Sequence, residues 1–169
     1  LDPNFIEAFS LGAWHIAYNE TVDMIDTPEK LKEWRPSYGA WLGEKEIFYY
    51  RAVSFLKEGI RKNPREYRLY YDLGYTVYAQ KLEDHANAVK YLTAALHHRH
   101  DRWVPRMLYR SLMLNGEHEK AIAGWTDYLA KHADTASAPV ARKFIVRNQG
   151  HLAEREARKL LAAAAVDRE

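Results

Sequence analysis

A small residue that returns at nearly constant spacing restricts what this chain can fold into more than any other feature of it. Ala52, Ala88, Ala121 and Ala157 stand 36, 33 and 36 residues apart, a period that belongs to stacked helical hairpins. Four residues after each comes a large apolar side chain: Leu56, Leu92, Trp125 and Leu161. Seven residues after each comes Gly59, Ala95, Tyr128 and Ala164. Spacings of three, four and seven lie on one helix face, where small residues admit a neighbouring helix and large ones fill the gap beside it.

The stretch around residues 67–100 is the fullest copy: Tyr70, Leu73-Gly74 and Tyr78, then Ala88, Leu92 and Ala95-Leu96, with Asn63-Pro64 closing the copy before it. These residues resemble the tetratricopeptide repeat family, whose pattern runs aromatic, Leu-Gly, aromatic on a first helix and Ala, Phe/Leu, Ala-Leu on a second. Tyr78 falls one place late, and two extra residues separate Gly74 from Ala88. The turn around Leu82 to His85 is expected to absorb them. A third copy carries Leu108, Asn115-Gly116, Ala121-Ile122, Trp125 and Leu129, with Tyr109 where the family has glycine and Pro105 where it has an aromatic. The first copy is split, Leu11-Gly12 standing some 40 residues ahead of Ala52.

The resemblance covers about residues 1–133. It implies an all-α fold, a right-handed α-solenoid of stacked antiparallel helix hairpins, as one domain over 1–169. Repeat 1 is expected at about 4–64 with an insertion at 20–43, repeat 2 at 67–100, repeat 3 at 102–133, and a C-terminal helical pair or cap at 139–166. Leu1-Asp2-Pro3 resembles the family's closing motif, so the chain is expected to be a segment of a longer protein.

Helices are expected at about 4–19, 44–62, 66–81, 84–98, 102–114 and 117–132, then from Pro139 to Asn148, with Gly150 as a stop before a last helix, 152–166. Within the insertion, Thr27-Pro28 reads as a capped helix start and Arg35 to Gly39 as a break. Trp34, Pro36, Tyr38 and Trp41 carry too much apolar surface to stand in water. They are expected to pack on the array, with Trp34 and Trp41 largely buried, or else to enter its groove. No strand-like alternation occurs.

Composition excludes several kinds of chemistry. Cysteine is absent, which removes disulfides, thiol nucleophiles and thiolate metal sites. The net charge of +2 is too small to argue for a nucleic-acid or membrane-surface partner, and no apolar run reaches membrane-spanning length. Glycine-rich phosphate loops are missing, and no histidine is paired with a serine or carboxylate at a catalytic spacing. His97-His98-Arg99-His100 lacks the i, i+4 arrangement of a helical metal site and reads as a helix C-terminus, where such side chains meet free carbonyls. The expectation is therefore no enzyme, no cofactor and no metal.

By the resemblance, first helices line a concave surface. Its positions fall on Phe9 and Ala13 in the first repeat, Arg68, Tyr71, Tyr75 and Tyr78 in the second, and Trp103, Arg106, Arg110 and Met113 in the third. Aromatics and arginines are what contact surfaces concentrate, since they bury much area per rotor and pair bidentately with carboxylates. Gly74-Tyr75 and Gly12-Ala13 lack the Gly-Asn of family members that clamp a chaperone's C-terminal carboxylate. The expected function is a protein-interaction scaffold that takes a partner peptide or helix, or another copy of itself. The alternative is single-stranded RNA stacked on the same aromatics, which the weak net charge disfavours. Compartment and partner identity are not written in the residues.

Overall fold

The computed structural model describes residues 6–19 and 38–166, and among them every regular element is helical. Contacts gather the chain into two compact units, Leu1–Val104 and Pro105–Glu169.

In the first unit, α1 (Ile6–Trp14) runs on into a π-helical turn, His15–Asn19, and packs against α2 (Tyr38–Lys62). The short α3 (Tyr67–Tyr71) continues as a π-helix over Asp72–Ala79 and packs against α4 (His85–Leu96). Local chemistry sets these boundaries. The Glu66 carboxylate accepts from Arg68 N–H at 3.2 Å at the start of α3, and Asp84 accepts from Asn87 N–H at 3.0 Å at the start of α4. Both satisfy donors that a helix start leaves free. Ala52, Leu56, Leu69, Leu73, Val77, Ala88 and Leu92 are buried outright. At Gly74 the two helices come so close that an added Cβ would stand 3.1 Å from the backbone nitrogen of Leu92 and 3.2 Å from the Ala88 carbonyl oxygen.

The second unit holds most of α5 (Val104–Leu114), with α6 (His118–Lys131) and α7 (Ala138–Val166). Gly116 adopts φ 78° after α5. Its N–H reaches the Met113 carbonyl and that of Glu117 reaches Leu112, at 3.1 and 2.9 Å, the left-handed glycine cap that closes many helices. The ring of Tyr109 occupies the space above Gly124, where a Cβ would stand 2.3 Å from it. That is how α5 accommodates a tyrosine at this crossing. In the α3/α4 pair the small residue is Gly74 and the large one Leu92; here the large residue sits on α5 and the small one on α6.

Three expectations are corrected. Helix α2 begins at Tyr38 rather than Glu44, taking Gly39 and Gly43 into helix. Of the pair or cap expected at 139–166, the pair is replaced by a single helix of 29 residues, Ala138–Val166. Gly150 does not end it, because glycine costs only about 1 kcal/mol in a helix interior and a side chain there would meet nothing. Along that helix Leu161 is 72 % exposed and Ala157 is exposed, so among the described residues no helix covers the fourth member of the small-residue series. The extra residues between Gly74 and Ala88 are taken up partly upstream of the turn. Over Asp72–Ala79 the backbone bonds lengthen to i→i+5, as from Leu82 N–H to Val77 O at 3.1 Å, and a π-turn holds more residues than an α-turn. Tyr78, four residues after Gly74, thereby stays on the buried face. The turn that follows carries Glu83 at φ 51°. Thr27, Trp34 and Pro36 lie outside the described residues, as does the side chain of Trp41.

Candidate functional site

In the first unit, α1 and α3 line a partly open cavity of about 360 Å³. From α1 come Ile6, Glu7, Ser10 and Leu11; from α3 and the residue after it, Tyr67, Arg68, Tyr71 and Asp72. Both sets have spacing 0, 1, 4, 5, which places each on a single stripe of its helix. Asp101 and Trp103, between α4 and α5, complete the lining.

Aromatic rings form one wall. Tyr71 and Trp103 meet edge to face, with centroids 4.3 Å apart and planes at 80°, and Tyr75 lies against Tyr71 at 5.4 Å. Burial pushes the Tyr71 hydroxyl well above its ordinary range. Polar groups form the rest. Tyr67 donates its hydroxyl to Asp101 at 2.6 Å, and burial first, then this bond, raises the Tyr67 hydroxyl. Arg68 pairs with Glu7 at a loose 3.8 Å, both side chains being more than half exposed. Burial also raises the Asp72 carboxyl; Ser10, Arg68 and Thr76 oppose the shift without cancelling it. Ser10 Oγ is sealed from solvent and completes no hydrogen bond of standard geometry. Three carboxylates thus face one guanidinium.

Of the residues picked out from the sequence, Arg68, Tyr71 and Trp103 come together here, with Tyr75 beside them. Phe9, Ala13 and Tyr78 are buried and offer no surface to a partner. Phe9 packs on Phe55 at 5.1 Å and fills the space over Gly59, and Tyr78 stacks on Tyr91 at 5.5 Å. In the second unit Met113 is likewise buried, Arg110 is exposed, and Arg106 is half-buried with its Nε sealed from solvent and unpartnered. Glu7, Ser10, Asp72 and Asp101 line the cavity without having been expected there. The sequence does carry a signal for Asp72, one residue after Tyr71 and four after Arg68, which puts a carboxylate on their stripe.

Elsewhere, His97 forms the C-cap of α4 and His100 Nδ1 lies 2.8 Å from the His98 carbonyl, the helix-end arrangement expected of that run. Among the described residues no group of three or more histidines and carboxylates is placed to hold a metal ion, and no helix is long and apolar enough to cross a membrane. In the second unit, buried Asn148 joins α6 to α7. It lies 2.9 Å from His118 Nδ1 and donates to the Phe144 carbonyl at 2.7 Å, while His118 stacks on His151. Comparison with protein-family models, with curated proteins and with solved structures returned no match.

Proposed function

We propose that this chain is a non-catalytic protein-interaction module, a helical-repeat scaffold of the right-handed hairpin-array kind that its sequence resembles, which takes a peptide or helix of a partner on the face of its first helices. The support is the convergence of Tyr71, Trp103 and Arg68, with Tyr75 beside them, around one cavity. Residues of these types hold most of the binding energy in protein contacts, and a cavity near 360 Å³ has the size of a side-chain pocket rather than a bed for a folded domain. Arg106 and Arg110 on α5, one helical turn apart, are the corresponding candidates in the second unit. Carboxylates Glu7, Asp72 and Asp101 in the lining count against RNA, whose phosphates they would repel.

The test is partner binding after pull-down and identification. Tyr75→Ala and Arg110→Ala should each weaken the complex while the helical signal and thermal midpoint stay nearly unchanged. Lys90, exposed on α4, supplies the control: normal binding by both variants together with loss of binding in Lys90→Glu would move the contact off the first helices.

A further inference from the structure

We propose that the cavity between α1 and α3 is a receptor for a single cationic side chain, an arginine or lysine carried by an extended segment of the partner. The inference rests on the interaction reading above and assigns the chemistry of the partner residue.

Three features of the site converge on a cation. Its charge is unbalanced, since Glu7, Asp72 and Asp101 stand against Arg68 alone, and Arg68, which also meets the Tyr67 hydroxyl, stands a loose 3.8 Å from Glu7. Its wall is aromatic, with Tyr71 and Trp103 offering ring planes at 80°. Ring faces attract ammonium and, more often, guanidinium groups, the more so when water is excluded. Its polar groups are incompletely satisfied. Ser10 Oγ, sealed from solvent, faces Asp72, whose burial penalty Ser10, Arg68 and Thr76 oppose without cancelling. A buried carboxylate is stabilised by a partner cation that also donates hydrogen bonds. An entering guanidinium can stack on a ring while its planar fork faces a carboxylate. A phosphate or carboxylate ligand would instead meet three like charges.

Other features do less. The larger opening beside Tyr50, Arg51 and Phe55 on α2 lacks this complementarity, and exposed Leu160 and Leu161 have nothing in the structure to say what covers them.

The test titrates the full chain with Ac-Gly-Gly-Arg-Gly-Gly-NH2, with its lysine analogue, with the isosteric but neutral citrulline analogue, and with inorganic phosphate. The readout is the indole N–H resonance of Trp103, assigned by its disappearance in Trp103→Phe. Saturable shifts are expected with arginine or lysine, at least tenfold weaker binding with citrulline, and no shift with phosphate. The double variant Asp72→Asn with Glu7→Gln should weaken the cationic peptides at least tenfold while keeping the helical signal and a thermal midpoint no lower than the parent's. Arg68→Ala, which removes the resident cation, should bind them no worse than the parent chain. Equal affinity for arginine and citrulline, a shift that survives the double variant, or no Trp103 response at 20 mM peptide would each overturn the proposal. An identified partner that needs Tyr75 but ignores the double variant would sink the cation pocket and leave the scaffold standing. A cation titration that succeeds while Tyr75→Ala has no effect on the partner would do the reverse.

Discussion

At the scale of single residues, the packing turns on where a missing side chain lets another element in. At Gly74 the obstacles to an added Cβ are Leu92 Cγ, the Leu92 nitrogen and the Ala88 carbonyl oxygen, the last two being helical backbone that cannot swing aside. Gly74→Ala should therefore cost about 1–3 kcal/mol by overpacking, and Ala88→Leu, at the same buried crossing, a similar amount. Gly150 is the opposite case, with open space around it. Gly150→Ala should raise stability by about 0.5–1 kcal/mol through helix propensity and reduced unfolded-state entropy. Chemical denaturation of the three variants checks all of these, and a thermal midpoint unmoved by Ala88→Leu would mean that α3 and α4 do not meet there. Asp72 adds a pH dependence of definite sign. Burial raises its folded-state carboxyl above the unfolded value of 3.8, so in the window just above that value the native state binds more protons than the unfolded one. Its contribution to stability then falls as pH rises. The stability of Asp72→Asn relative to the parent should be more favourable at pH 7 than at pH 4, as thermal unfolding at both pH values would show.

At the scale of elements, the small-residue register was legible because a helix crossing constrains side-chain size at fixed spacing: Ala52, Ala88 and Ala121 are fully buried. The π-helix was not. One extra residue in a turn leaves the same apolar pattern as a slightly longer loop, and only backbone bonding tells them apart. The glycines misled for a related reason, since Gly39, Gly43 and Gly150 weaken a helix by an amount that helix length and packing elsewhere overcome. Candidate site residues were legible by type, which found Arg68, Tyr71 and Trp103, but of their carboxylate neighbours only Asp72 shares a helical stripe with them, Glu7 and Asp101 standing on other segments. Phe9 and Tyr78 share the aromatic type and lie on adjoining stripes of their helices, where a rotation of one position separates cavity from core. In the second unit α6 and α7 depend on Asn148, buried between His118 and the Phe144 carbonyl. Asn148→Ala should destabilise by about 1–3 kcal/mol, because it strands the groups that Asn148 satisfies. Replacing Leu160 and Leu161 by glutamine should shift stability by less than about 0.5 kcal/mol, since both already stand in water. Equilibrium urea unfolding of both variants separates a polar clasp from an ornamental one.

At the scale of the whole molecule, the competing accounts of what it holds differ in how many charges they engage. A strand of RNA tracked along a groove would release a counterion for most of the phosphates it neutralises. With 6–10 contacts, affinity would fall about 10³–10⁵-fold between 50 and 200 mM salt. A partner anchored on Tyr71 and Trp103 through one cation engages a few carboxylates at short range, where screening is weaker than between exposed, distant charges. The chain's net charge of +2 adds little long-range attraction for a polyanion. Affinity for the identified partner, measured by calorimetry across that salt range, should therefore change by less than about tenfold. A logarithmic salt slope steeper than about −4, alongside retained binding in the Asp72→Asn, Glu7→Gln variant, would mean that the aromatic wall stacks bases. A shallow slope together with loss of binding in that variant is the outcome expected of a scaffold that recognises one basic side chain among its aromatics.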